Sequence, residues 1–338
     1  MATTSLSDSS STPNEIFDHH IAVLVLKGIM FVVATPLNLW ILWILRRRRS
    51  LREQTSNPLL FMIFFGELVL GVTGVPRLFM ALFGRHAMTP SRCAWLSVFY
   101  IYGDVHTSLT MMTYAFYRCY VTHYVESTTT REPLFRKILW YASLFIIIVS
   151  VLITVLLTVW IENDPVNSCQ LAGIWSLGAL YFVMAISGTF NGGIALFNIG
   201  VVVLVHRKAM TSLELKKNSC DIIRTSVGFI LTAIVFNVAP KWGIFVVMSQ
   251  ASIDPIAFDV SQVILGLCGQ ASALIAPLAY GLTNSTVRKQ FFILNEKKTR
   301  VKNIAQFRKH DPKTKKPLAY IDFPPAVLPT SDRHRRNL

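Results

Sequence analysis

Acidic residues are scarce, cysteines are few, and the long apolar stretches hold very little charge. Asp and Glu number 18 against 33 Lys and Arg, a formal charge of +15. The basic residues gather between apolar runs rather than spreading over a folded surface, which argues against nucleic acid as a partner. Five cysteines, with no CxxC and no His/Cys cluster at ligand spacing, exclude a disulfide-built scaffold and speak against a metal site. No cofactor and no enzymatic activity are expected. The first twenty residues carry Asp8, Glu15 and Asp18 but no Lys or Arg. The positively charged start of a signal peptide is therefore missing, and the first apolar span is expected to direct insertion itself.

What the chain has in quantity is apolar side chain. With 52% hydrophobic and 15% charged residues, it holds more than a soluble core of 338 residues absorbs, and a lipid-facing exterior takes up the excess. A bilayer core of about 30 Å needs roughly 20 apolar helical residues. Seven runs of this kind occur, at 21–45, 58–83, 94–120, 138–160, 172–205, 222–248 and 256–281. The expected fold is therefore an all-α membrane protein, a seven-transmembrane helix bundle over 21–282 following an extracellular tail over 1–20. Arg46 to Arg49 with Arg52, then Arg207, Lys208, Lys216 and Lys217, then the tail all fall on one side, which lysine and arginine excess marks as cytoplasmic. The N-terminus is expected outside and the C-terminus inside, in a cell membrane. The tail over 296–338 is basic and expected to be disordered, attracted to anionic inner-leaflet lipids. No 20–50-residue repeat is present, and no matching pair of broken helices, which weighs against a repeat-built transporter.

Several polar residues interrupt this pattern. Cys93 begins the third span on the outer side and Cys169 lies in the outer loop before the fifth. A disulfide there and two free thiols are both open, whereas Cys119, Cys220 and Cys268 are expected to stay reduced. From Cys93 to Arg118 the helix rises about 37 Å, enough to cross the bilayer and put Arg118 at the cytoplasmic end. At 100° per residue Tyr100, Asp104, Thr107, Met111, Tyr114 and Arg118 share one stripe, which must face the bundle interior. Glu67 lies mid-span, where an ionised carboxylate costs at least a few kcal/mol. A conformational or ion-linked switch is one reading; a protonated acid bonded to Asn38, Thr107 or Ser272 is the other. Pro240 and Pro277 fall inside spans and should kink them.

Together these residues resemble the rhodopsin-like G-protein-coupled receptors, from about Asn38 to Phe292. Asn38 is similar to the family's first-helix asparagine. Asn57, Glu67 and Pro76 match the second helix's N-x9-D-x8-P pattern, with Glu for Asp. Cys93 and Arg118 match the third-helix cysteine and arginine, and Trp140 the fourth-helix tryptophan. The segment Ala276 to Tyr280, with Pro277, resembles NPxxY, and Val287 to Phe292 looks like the short amphipathic eighth helix, expected over 283–295. The resemblance implies a Cys93–Cys169 disulfide and a coupling site built from Tyr117, Arg118, Pro240, Pro277 and Tyr280. It also implies a core switch of Asn38, Glu67, Thr107 and Ser272. The chain departs from the family in having Tyr117 before the arginine, Cys119 after it, Ala276 for the NPxxY asparagine, no tryptophan in Asn237–Pro240 and no proline in the fifth span. With no acid at 117, raised basal signalling is expected, Asp221 being the available substitute.

The implied activity is ligand binding outside and activation of a heterotrimeric G protein inside. The retinal-lysine position aligns with Gln270, which excludes an opsin, and the amine-binding aspartate aligns with Tyr100, which disfavours a monoamine. The expected pocket holds Arg77, Tyr100, Asp104, Lys241, Trp242, Phe245 and Gln270. Lys241 either pairs with Asp104 or joins Arg77 in holding an acidic lipid, metabolite or peptide. Two other functions compete: a non-signalling decoy or dimer partner, and a small-solute transporter with Glu67, Asp104, Lys241 and Gln270 along a pathway.

Overall fold

Apolar runs long enough to satisfy every backbone group internally become helices, because lipid offers no other hydrogen-bond partner. The computed structural model describes residues 21–52, 54–83, 90–124, 132–159, 177–208, 213–248, 255–284 and 287–288. No strand occurs among the described residues. In chain order the helices are α1 (Ile21–Arg47), α2 (Asn57–Phe83), α3 (Pro90–His123), α4 (Glu132–Val159), α5 (Leu177–Lys208), α6 (Leu213–Ala233), α7 (Ala239–Met248) and α8 (Pro255–Thr283). A single turn, Arg49–Arg52, follows α1, and a π-helical turn, Ile234–Val238, joins α6 to α7. The helices outrun the apolar spans at several ends: α4 starts at Glu132 and α3 ends at His123, because helical hydrogen bonding does not stop where lipid does. Of the expected eighth helix, 283–295, only Thr283, Asn284, Val287 and Arg288 fall within the described residues: Thr283 ends α8, Asn284 is not helical, and Val287 and Arg288 are helical.

Among the described residues five helices are long and apolar enough to cross a membrane, over Ala22–Arg47, Pro133–Val159, Met184–Lys208, Ser219–Gly243 and Val263–Thr283, and the chain is a multi-pass helical membrane protein. The side chains left outside support this. Val25, Ile29 and Val32 on α1, and Tyr141, Phe145, Leu152 and Val159 on α4, are exposed apolar groups that water would not tolerate in such number. Helix α3 is the polar exception. It packs against α2, α4 and α5, so its His106, Thr107, Ser108 and Thr110 are buried among neighbours. The first helix packs on α2 and on α8, which brings the two ends of the helical sequence together.

The prolines act on these helices in two ways. Pro240 offers no amide to the carbonyl four residues back, and the helix widens into the π turn directly before it, with Asn237 buried inside. Pro277 sits within α8 and leaves the Ala273 carbonyl without its usual helical donor. Asn38 supplies one: its Nδ2 donates to Ala273 O at 2.8 Å and to Ala34 O at 3.0 Å. A side-chain amide on α1 thus replaces the hydrogen bond that a proline removed from α8.

Candidate functional site

The inward stripe of α3 organises three polar layers. In the first, Lys241 of α7 donates to both Asp104 carboxylate oxygens at 2.9 Å, with only 8% and 13% of the two side chains exposed. Ser187 of α5 donates to Asp104 Oδ2 at 3.3 Å and is itself bonded to the Lys241 ammonium. Asn191, one helical turn further along α5, donates to the Ser187 carbonyl at 2.8 Å and to Ser108 Oγ at 3.2 Å. The arrangement is a charge-neutral network tying α3, α5 and α7 together. Ser187 and Asn191 had not been singled out in the sequence, although their i, i+4 spacing on an apolar helix was a usable sign of a shared polar face.

Around this layer the other expected pocket residues separate. Tyr100 is buried against Ala34, Leu70 and Ala273. Its ring crowds Gly269, where a Cβ would lie 3.2 Å from Tyr100 Cζ. Gln270 is buried beside it in sequence. Trp242 is half-exposed on the outer surface of α7, its indole over Gly188 of α5. Phe245 bridges Trp242 and Tyr181 with ring centroids 5.5 and 5.3 Å apart. The Arg77 side chain lies outside the described residues, as do the Cys93 side chain and the whole of Cys169, so the expected disulfide is not among the described contacts. Cys119, Cys220 and Cys268 are free thiols.

The second layer lies near the bundle centre. Glu67 is fully buried, and Ser272 Oγ donates to its Oε1 at 3.3 Å. Glu67 Oε2, Thr107 Oγ1 and Asn38 Oδ1 have no hydrogen-bond partner among the described residues. Of the three partners named for Glu67 in the sequence, Ser272 makes the bond, while the amide of Asn38 is turned to backbone. His106, also fully buried, stacks on Tyr102 at 5.2 Å and meets Phe65 edge-on at 6.3 Å. Unpaired buried acceptors are costly, which makes this layer the least settled part of the interior.

The third layer closes the opposite end. Arg118 Nη2 donates to the Ile222 carbonyl of α6 at 3.0 Å, and its guanidinium lies over the Tyr114 ring, 5.6 Å from the centroid. No ion pair of Arg118 occurs among the described residues, so Asp221 does not take the place of the missing acid; Arg118 holds the next residue's backbone instead. Tyr114 meets Phe229 of α6 at 5.8 Å, and Tyr280 packs on Phe64 at 5.1 Å. The Tyr280 hydroxyl accepts from Asn284 Nδ2 at 3.2 Å. Tyr117 is half-buried on α3 beside this layer.

No family model matches this chain, and no curated protein does. The three layers contain no group of three or more His, Cys, Asp or Glu residues placed to hold a metal, among the described residues. They do contain, at one end, an ion pair between α3 and α7 that Ser187 links to α5, and at the other an arginine-to-backbone tie between α3 and α6. The π turn and Pro240 stand between the two on the α6–α7 rod.

Proposed function

We propose that the chain is a rhodopsin-like G-protein-coupled receptor of the cell membrane, with seven transmembrane helices, an extracellular N-terminus and a cytoplasmic C-terminus. It binds a ligand on the Lys241 side and activates a heterotrimeric G protein on the Arg118 side. The observation that carries this reading is the Arg118 layer. A hydrogen bond to a backbone carbonyl, with the Tyr114–Phe229 ring contact, holds α6 against α3 at the end where Arg46 to Arg49, Arg52, Arg207 and Lys208 gather, the end expected to be cytoplasmic by the positive-inside rule. Such a tie is weaker than a buried ion pair and is lost when α6 swings outward, which would open a cleft between α3, α6 and α8. A ligand drives that motion only by binding the open state more tightly than the closed one.

Ligand-independent nucleotide exchange on a panel of G proteins, in membranes bearing the chain, tests the proposal. The wild type is expected to exceed empty membranes. Arg118→Ala should abolish the signal, and Tyr117→Asp should lower it roughly fivefold or more by restoring an ionic restraint worth about 1–3 kcal/mol. Solute flux without exchange would instead support a transporter. Ligand binding without exchange from any G protein would support a non-signalling receptor.

The same topology puts Cys93 and Cys169 on the oxidising side, and we expect them to be joined. Mass spectrometry of surface protein should find both thiols alkylated only after reduction. Cys169→Ala should cost about 2–5 kcal/mol of stability. Alkylation of both without reduction, in folded protein, would rule the bond out.

A further inference from the structure

Three arginines converge on one cleft at the Arg118 end of the bundle. Arg46 ends α1, Arg52 closes the turn after it, and Arg136 rises from α4; together with Phe61, Met62 and Trp140 they line a cavity of about 420 Å³. The grouping is built, not incidental. Asn57 Nδ2 donates to the carbonyls of Leu51 at 2.9 Å and Leu45 at 3.3 Å, which fixes the connection carrying Arg46 and Arg52. Arg136 Nη2 then donates to the Arg52 carbonyl at 3.3 Å, which ties the third arginine to the turn that carries the second. No carboxylate lines the cleft, and none of the three guanidiniums makes an ion pair among the described residues.

Held like charges repel, and an anion placed between them relieves the repulsion. Arginine forks suit phosphate oxygens in particular. A phosphodiester carries one negative charge, fewer than three guanidiniums can neutralise, whereas each phosphomonoester brings about −1.5 to −2 at pH 7. The rest of the lining says where the phosphates come from. Phe61 and Met62 are apolar, and Trp140, 62% exposed, continues into the outward face that carries Tyr141 and Phe145. Tryptophan at this depth is the usual marker of a membrane interface.

We infer that this cleft binds a membrane lipid whose headgroup bears phosphomonoesters. The phosphates sit on Arg46, Arg52 and Arg136, and an acyl chain runs along Trp140. The inference rests on the chain crossing a membrane, and not on its being a receptor. It differs from attraction of the basic tail to anionic lipids, because it is a single site of defined stoichiometry. Bound there, the lipid would clamp α1, the turn after it and α4, and so stabilise one wall of the Arg118 end.

Native mass spectrometry of the full chain in detergent, titrated with dioctanoyl phosphatidylinositol bisphosphate, tests this. One retained adduct is expected, weakened about tenfold or more when Arg46, Arg52 and Arg136 are all replaced by Gln. Arg46→Gln alone, at an exposed helix end where folding is not at risk, should weaken it about threefold. Replacing Lys297, Lys298, Arg300 and Lys302 by Gln should leave the adduct in place, and dioctanoyl phosphatidylcholine should not form one. Persistence of the adduct in both arginine variants, or its loss on neutralising the tail alone, overturns the site. Equal competition by inositol trisphosphate, which lacks acyl chains, would make the site one for free phosphates and overturn the lipid. Recovery of the folded chain from cells without detergent would fail the membrane reading itself.

Discussion

Lys241→Ala is expected to remove most of the protein from the cell surface, and Asp104→Asn added to it is expected to bring much of it back. The ammonium donates to both oxygens of one carboxylate, and Ser187 is the remaining partner of each group. Deleting the lysine leaves a carboxylate in a nearly dry interior with one hydroxyl for company. Breaking a buried pair in this way costs about 3–5 kcal/mol, more than a typical margin allows when it falls on a marginal fold. Neutralising Asp104 removes the stranded charge, so the double variant should melt well above the single one in detergent. Flow cytometry of tagged protein and a thermal melt read the two effects. Normal surface levels for Lys241→Ala would mean that the pair is not structural. An acidic ligand would have to displace both Asp104 and Ser187 to reach this lysine, which is why the network speaks for pairing rather than for an anion site.

A second large effect is expected at Gly103. Any Cβ there would lie 2.9 Å from Leu70 Cγ and 3.2 Å from the Leu70 backbone nitrogen, and backbone cannot rotate aside. From the facing side, a Cβ at Gly66 would lie 3.1 Å from His106 Cδ2 and crowd the Thr107 hydroxyl. One glycine from each helix lets α2 and α3 approach closely, as small residues do where lipid gives helices no hydrophobic reason to associate. Gly103→Ala should therefore cost about 1–3 kcal/mol through overpacking. Gly178→Ala, with nothing within 4 Å of its added methyl, is the control and should be neutral or slightly stabilising. An unchanged melting temperature for Gly103→Ala would show that α2 and α3 can separate freely.

The sequence made the helices and the inward stripe of α3 readable, because both follow from period and hydrophobicity alone. Asp104 and Lys241 stood out for a related reason: charges in lipid spans are rare enough to seek each other. Less of the site could be read where backbone was the partner. Read as a protonated acid rather than a switch, Glu67 had Asn38, Thr107 and Ser272 as candidate partners; of these Ser272 bonds to it, and Asn38 is drawn to a carbonyl that Pro277 set free. Asp221 was the available substitute for the acid missing at 117, yet Arg118 holds the neighbouring Ile222 carbonyl. Side-chain identity does not reveal which main-chain acceptors a kink or a helix end exposes. The π turn before Pro240 and the gathering of Arg46, Arg52 and Arg136 escaped for the same kind of reason, the first being a local change of winding and the second a meeting of three separate segments.

The bond from Asn38 to the Ala273 carbonyl spans 235 residues. A ribosome adds roughly 5–20 residues per second, so about 10–50 seconds separate the synthesis of donor and acceptor. During that interval α1 waits in the bilayer with one of its two amide hydrogens, the one Ala34 does not engage, lacking its mature partner. An unfinished bundle therefore carries a polar label in its first helix, which the last helix erases on arrival. Chains stalled or truncated before residue 273 keep that label, and they present to the membrane's surveillance machinery a feature that the completed protein hides.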